Sequence, residues 1–171
     1  MNSLVVVYSE TGNTKKIAET MYNSIPDKKS LRAVKDLDIK SLGSYDLIFF
    51  GCPVHAHSVP KAIKNFLKDL ADNLTCKIAL FITYGVPDKM FYENCLNTLS
   101  KSFQKKNLEV LGEFHCLGKH AAIETLAKFF PDKVNDAKKS DSHPDEADLN
   151  AAKQFALDII KKINGNRKKI M

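Results

Sequence analysis

Three short apolar runs, Leu4 to Tyr8, Leu47 to Phe50 and Ile78 to Thr83, set the strongest limit on how this chain can fold. Each is continuous, not alternating, as expected of strands covered on both faces in a parallel sheet. Ser30 to Val34 and Leu108 to Leu111 are weaker strand candidates. Apolar residues at helical spacing lie between and after the runs. They are Ile17, Ala18, Met21 and Ile25; Ala62, Ile63, Phe66, Leu67 and Leu70; Leu96, Leu99 and Phe103; and Ala152, Phe155, Ala156, Ile159, Ile160 and Ile163. This alternation predicts an α/β domain with right-handed crossovers, and the weak second strand suits a sheet edge. A chain of 171 residues is long enough for one domain with a real core and too short for two ordinary ones. One stretch, Gly112 to His143, breaks the pattern and reads as a long loop.

Composition narrows the class. Apolar residues at 44% and charged residues at 27% are a soluble globular balance, which excludes a disordered or fibrous chain. No apolar run approaches the roughly 20 residues of a bilayer crossing, and the N-terminus lacks a basic leader, so a cytoplasmic protein is expected. The net charge of +6 is concentrated at the C-terminus, in Lys161, Lys162, Arg167, Lys168 and Lys169. We read residues 1–164 as a single domain and 165–171 as a basic, solvated tail, not a nucleic-acid site. Cys52, Cys76, Cys95 and Cys116 are widely spaced without a C-x-x-C pair, so reduced thiols are expected. Ser142 to Asp148 reads as the start of the last helix, with Pro144 in an early helical position and three acids against the dipole.

The segment richest in chemistry is Ser9-Glu10-Thr11-Gly12-Asn13-Thr14, between the first strand and the first helix. Three hydroxyls, a glycine that lets the backbone approach, and an asparagine that tolerates a left-handed turn all suit a phosphate cradle. The following helix would direct free N–H groups at the same point. The loop contains no Lys or Arg, so uncharged donors would do the holding. It is neither a Walker A loop nor a G-x-G-x-x-G turn.

Ser-x-Thr-Gly-Asn-Thr directly after an N-terminal apolar strand resembles the FMN phosphate loop of the flavodoxin family, and the resemblance extends over nearly the whole chain. It implies a flavodoxin-like three-layer α/β/α sandwich, a five-stranded parallel sheet of order 2-1-3-4-5, with FMN at the crevice where the order reverses. Ser9, Glu10, Thr11, Gly12, Asn13 and Thr14 would form the phosphate site. Pro53, Val54, His55 and Ala56, after the third strand, resemble the first loop flanking the flavin ring. Thr83, Tyr84 and Gly85 resemble the second, and Tyr84 is placed either against the ring or in a surface turn. The implied role is FMN-binding electron transfer between redox partner proteins. The alternative is an FMN-dependent NAD(P)H oxidoreductase of quinone reductase type, with the 112–143 segment as acceptor pocket.

Other chemistries fail on residues. His55, His57 and Cys52 lack a fourth metal ligand, as do His115, Cys116 and His120. Cys52 has no arginine nearby to make a phosphatase loop. A phospho-receiver site would need acids after the first strand and an aspartate where Gly51 and Cys52 stand. Of the two loop histidines, His55 is favoured as the ring neighbour. Two departures from the family matter: this chain is basic where carrier flavodoxins are acidic, and residues 52–60 contain neither Gly nor Asn. A positive-φ turn is therefore expected to be unfavourable there, which favours two-electron transfer.

Overall fold

The computed structural model describes the backbone of residues 1–170 and the side chains of residues 1–165. Five parallel strands, β1 (Asn2–Val7), β2 (Lys28–Ala33), β3 (Leu47–Pro53), β4 (Lys77–Tyr84) and β5 (Val110–Leu117), stand in the order β2-β1-β3-β4-β5. The continuous apolar runs are the three central strands, and half-buried β2 lies at an edge.

The strand side chains alternate between two cores. Toward α2 (Lys61–Asp69) and α3 (Lys89–Gln104) point Leu4, Val6, Ile48, Phe50, Leu80 and Ile82. Phe50 stacks on Phe66 at 5.3 Å and meets Phe103 edge-on at 5.2 Å. Burying one such ring contributes about 1.5–3 kcal/mol. Toward α1 (Asn13–Ser24) and α6 (Glu146–Ile170) point Val5, Val7, Phe49 and Phe81, against Ile17, Met21, Ala156 and Ile160. Gly51 is required here, because a Cβ on it would sit 2.1 Å from the Phe81 ring.

The segment expected to be a loop is built otherwise. β5 begins at Val110 and continues to Leu117, so Leu108–Leu111 marks only its start. Its apolar residues alternate with Glu113 and His115, as suits an edge strand, and give no continuous run to read. Beyond it lie α4 (Ile123–Phe129), a 3₁₀ turn (Pro131–Lys133) and α5 (Val134–Lys138). Ile123, Leu126 and Ala137 pack on Val86 and Phe91 in a third, small core. Lys133 pairs with Asp88 at 2.7 Å and ties this segment to the start of α3, where Asp88 also caps Met90 N–H.

Pro144 precedes α6 instead of lying within it. The start is a reciprocal cap: Asp145 Oδ1 accepts from Asp148 N–H, and Asp148 Oδ2 accepts from Asp145 N–H, each at 3.0 Å. His143 Nδ1 also bonds Asp148, at 2.5 Å. The basic tail's Arg167, Lys168 and Lys169 lie outside the residues whose side chains are described. All four cysteines are free and buried. Among the described residues, no helix is long and apolar enough to cross a membrane.

Candidate functional site

The parallel register brings the loops after β1, β3, β4 and β5 to one end of the sheet, where they line a cleft of about 560 Å³. The β1–α1 loop turns at Gly12, whose φ of +95° is left-handed and whose missing Cβ leaves open space. Ser9 Oγ accepts from Gly12 N–H and Lys15 N–H, both at 3.2 Å. The hydroxyl thus caps the helix from within, and its own proton stays available to donate. The N–H groups of Thr11, Asn13 and Thr14 make no hydrogen bond among the described residues.

Two side chains expected at the phosphate are engaged elsewhere. Asn13 does not take the left-handed position; its amide donates to Lys119 O at 2.9 Å. Thr14 Oγ1 lies 2.8 Å from Thr83 Oγ1, with both residues at most 2% exposed. That buried hydroxyl pair joins the β1 and β4 loops. Glu10 points to the β3 loop: its carboxylate accepts from Tyr8 Oη at 2.8 Å and pairs with His55 Nε2 at 2.5 Å. The bond to Glu10 raises the Tyr8 pKa above its ordinary value.

The β3 loop departs most from expectation. Val54 N–H donates to Thr83 O at 2.9 Å. His55 and Ser58 then exchange both backbone hydrogen bonds, at 2.9 and 2.8 Å, around Ala56 and His57. Both central residues have positive φ, +43° and +63°. This is a two-residue hairpin with the left-handed pair of a type I′ turn, made without Gly or Asn. A positive-φ turn thus forms among residues 52–60 although it is unfavourable there, with strain of about 1–2 kcal/mol per residue. Tertiary contacts hold it: His57 O accepts from Asn94 Nδ2 at 2.9 Å, and its ring lies 4.0 Å from Phe91 and 5.5 Å from Phe130.

Tyr84 lines the cleft, but its ring stacks on Tyr92 at 4.3 Å and its hydroxyl reaches His115 Nδ1 at 3.2 Å. Burial pushes the phenol up to about 12 and lowers the His115 imidazole, so both rings favour their uncharged forms. Gly85 is crowded by the β5–α4 loop: a Cβ there would lie 2.6 Å from His120 Cδ2. Gly118 similarly allows Asn13 to approach. The 118–130 segment thus forms the cleft's far wall, with Lys119, His120, Thr125, Leu126, Phe129 and Phe130. Lys119 brings a positive charge that the 9–14 loop lacks. Phe129 is 66% and Phe130 38% exposed. Sequence reading offered the 112–143 segment as an acceptor pocket only in the alternative and named none of these lining residues, nor Asn94 and Phe91, although two adjacent phenylalanines in a polar stretch were a usable signal. His143, Asp145 and Asp148 also lie close together, but the reciprocal cap accounts for them.

The comparisons agree with this architecture. Flavodoxin-like domain-containing protein BilS of Clostridioides difficile is 34% identical over 173 residues, covering 94% of this chain and 97% of that protein. Flavodoxin 1 from Bacillus cereus shares the fold with a TM-score of 0.71 at 16% identity, covering 94% of this chain and 98% of its own. A flavodoxin from the domain Archaea gives 0.69 at 17% identity, over 96% and 99%. At such identities these structures speak for the fold alone. The sequence model of the flavodoxin domain matches residues 4–157, and with that match over most of its length the chain belongs to the flavodoxin domain family.

Proposed function

We propose that this protein binds FMN and carries electrons between redox partner proteins. The observation that carries the reading is the set of unpaired N–H groups of Thr11, Asn13 and Thr14 at the start of α1, opening into a largely apolar cleft. An anion there meets aligned backbone donors and the positive end of the helix dipole, and the hydroxyls of Ser9 and Thr11 can add donors. A planar heterocycle suits the rest of the cleft, between Pro53–His57 on one side and Thr83–Val86 on the other. The N–H groups of Ala56 and His57, left unpaired by the hairpin, would bond its polar edge. FMN, when bound, supplies the one- and two-electron chemistry, and the protein supplies orientation and exclusion of water.

Thr14 and Asn13 would act through their backbone N–H groups, with the Thr14–Thr83 and Asn13–Lys119 bonds fixing the cradle's shape. Glu10, paired with His55, would keep its charge turned toward the β3 loop. We place the protein in the cytoplasm, where its four buried thiols stay reduced. We read residues 1–164 as its flavin-binding unit and 165–171 as a tail.

Purified protein should be yellow and release FMN identifiable by mass. FMN should bind more tightly than riboflavin, which lacks the phosphate. Equal affinity for the two would move the phosphate out of the α1 cradle. Holoprotein mixed with NADH or NADPH should not bleach without a partner reductase; rapid bleaching would instead favour a self-sufficient oxidoreductase.

A further inference from the structure

We propose that Asn94 is a positioning residue for the cleft: it holds the strained Ala56–His57 turn in place, and flavin affinity depends on that hold. The inference rests on the FMN reading and concerns the ring end of the site, not its phosphate end.

The turn does not favour its own geometry. Ala56 and His57 are consecutive L-residues at φ +43° and +63°, where side chains crowd the backbone and glycine is the usual occupant. The hairpin's internal support is the pair of bonds between His55 and Ser58. Glu10 pairs with His55 at the start of the hairpin, and the His57 half is supported chiefly from one face of α3. Asn94 Nδ2 donates to His57 O, fixing the carbonyl that a relaxing His57 would have to swing. Phe91, three residues earlier on the same face, seats the His57 ring at 4.0 Å. Phe130 adds a second aromatic contact at 5.5 Å. The helix is itself well anchored, through buried Cys95, Leu96, Leu99 and Phe103 and through Asp88 at its N-terminus.

Asparagine is an indifferent helix former, and Asn94 is otherwise an exposed residue. Its amide serves the turn 37 residues away. The turn in turn leaves the N–H groups of Ala56 and His57 unpaired beside the cleft. If the carbonyl is released, those donors no longer hold one orientation, and a bound ring loses a preorganised edge.

The test is titration of apoprotein with FMN and with riboflavin. Asn94→Ala should raise the Kd for both flavins by the same factor, about tenfold, the worth of one well-placed hydrogen bond. Ala56→Gly in the Asn94→Ala background should recover most of the loss, because glycine adopts the left-handed conformation without help. If Asn94→Ala does not fold, Asn94→Asp keeps the shape, removes the donor and should behave alike. Unchanged affinity, a loss that Ala56→Gly does not recover, or a loss for FMN alone would each overturn the proposal. Wild-type protein that takes up neither flavin would overturn the FMN reading as well, which separates the two failures.

Discussion

Two of the loops that line the cleft, joined by the Glu10–His55 pair, reach left-handed backbone by opposite routes. In the β1–α1 loop the left-handed residue is Gly12, at φ +95° with no atom near its absent Cβ, and the cap comes from Ser9 in the same hexapeptide. In the β3 loop it is an alanine and a histidine, held by Asn94, Phe91 and Phe130 from distant parts of the chain. The first loop contains its own instructions; the second borrows them. A self-sufficient loop keeps its shape when its surroundings change, whereas a borrowed shape can be altered from every element that supplies it. The β3 loop is therefore where α3 and the 118–143 segment can act on the site.

The largest effect expected is at the one buried polar contact the first loop makes outside itself. Thr14→Val should destabilise the protein by about 1–3 kcal/mol, since it leaves the Thr83 hydroxyl buried without its partner. Thr83→Val should do the same, and the double variant should cost less than the sum of the two. Chemical denaturation measures all three. Strict additivity would mean that the hydroxyl pair does not couple the β1 and β4 loops.

A smaller pair of substitutions sets the loops directly against each other. Gly12→Ala meets no steric obstacle and so reports backbone strain alone, about 1–2 kcal/mol of destabilisation. Ala56→Gly should have the opposite sign. It relieves left-handed strain at the expense of a more flexible unfolded chain, for a net gain of about 0.5–1 kcal/mol. If both substitutions destabilise, the β3 turn is not strained and the contrast fails.

The same contrast explains what the sequence made legible. The central strands are continuous apolar runs that announce a parallel sheet, whereas the 2-1-3-4-5 order was implied only by the resemblance of the β1–α1 loop to the flavodoxin family. The conformation of the β1–α1 loop was legible because its turn residue and its cap lie within six positions of one another. The β3 turn was not foreseen because nothing in Ala56-His57 signals positive φ; the reason for it lies in Asn94 and Phe91, close in space and distant in sequence. The side chains of Asn13 and Thr14 were assigned to an anion for the same reason, since Lys119 and Thr83, which engage them, come from other loops. The helices of the 118–143 segment, read as a loop, were hidden because their apolar residues, Ile123, Leu126 and Ala137, are few and pack on Val86 and Phe91 instead of on the main cores.

The smallest effect is one of acidity, and it should reach only the loop with borrowed support. Lys133 donates to Asp88 and holds that carboxyl below its ordinary 3.8, with Met90 N–H adding to the effect; Asp88 in turn raises Lys133 above 10.5. A carboxyl depressed on folding stabilises fully above its unfolded value and loses that contribution as pH falls through 3.8 and on through the lower folded value. For Lys133 the contribution is lost only in strong alkali, as pH rises through its raised folded value. Around neutrality the tie is intact. Acid should therefore loosen the segment that carries Phe130, and through Phe130 the seat of His57, before it disturbs the bonds from Gly12 and Lys15 N–H to Ser9 Oγ, none of whose atoms is acidic. Glu10, in the same loop, pairs with His55, so the comparison with Lys133→Met isolates the Asp88 part. Backbone amide shifts recorded from pH 6 to pH 2.5 should move at Ser58 and His57 ahead of Gly12 and Lys15. In Lys133→Met the shift through the carboxylate range should shrink, because the largest cause of the Asp88 depression is gone and the Met90 N–H bond remains. Simultaneous movement of both loops in wild type would show that their supports are not separate.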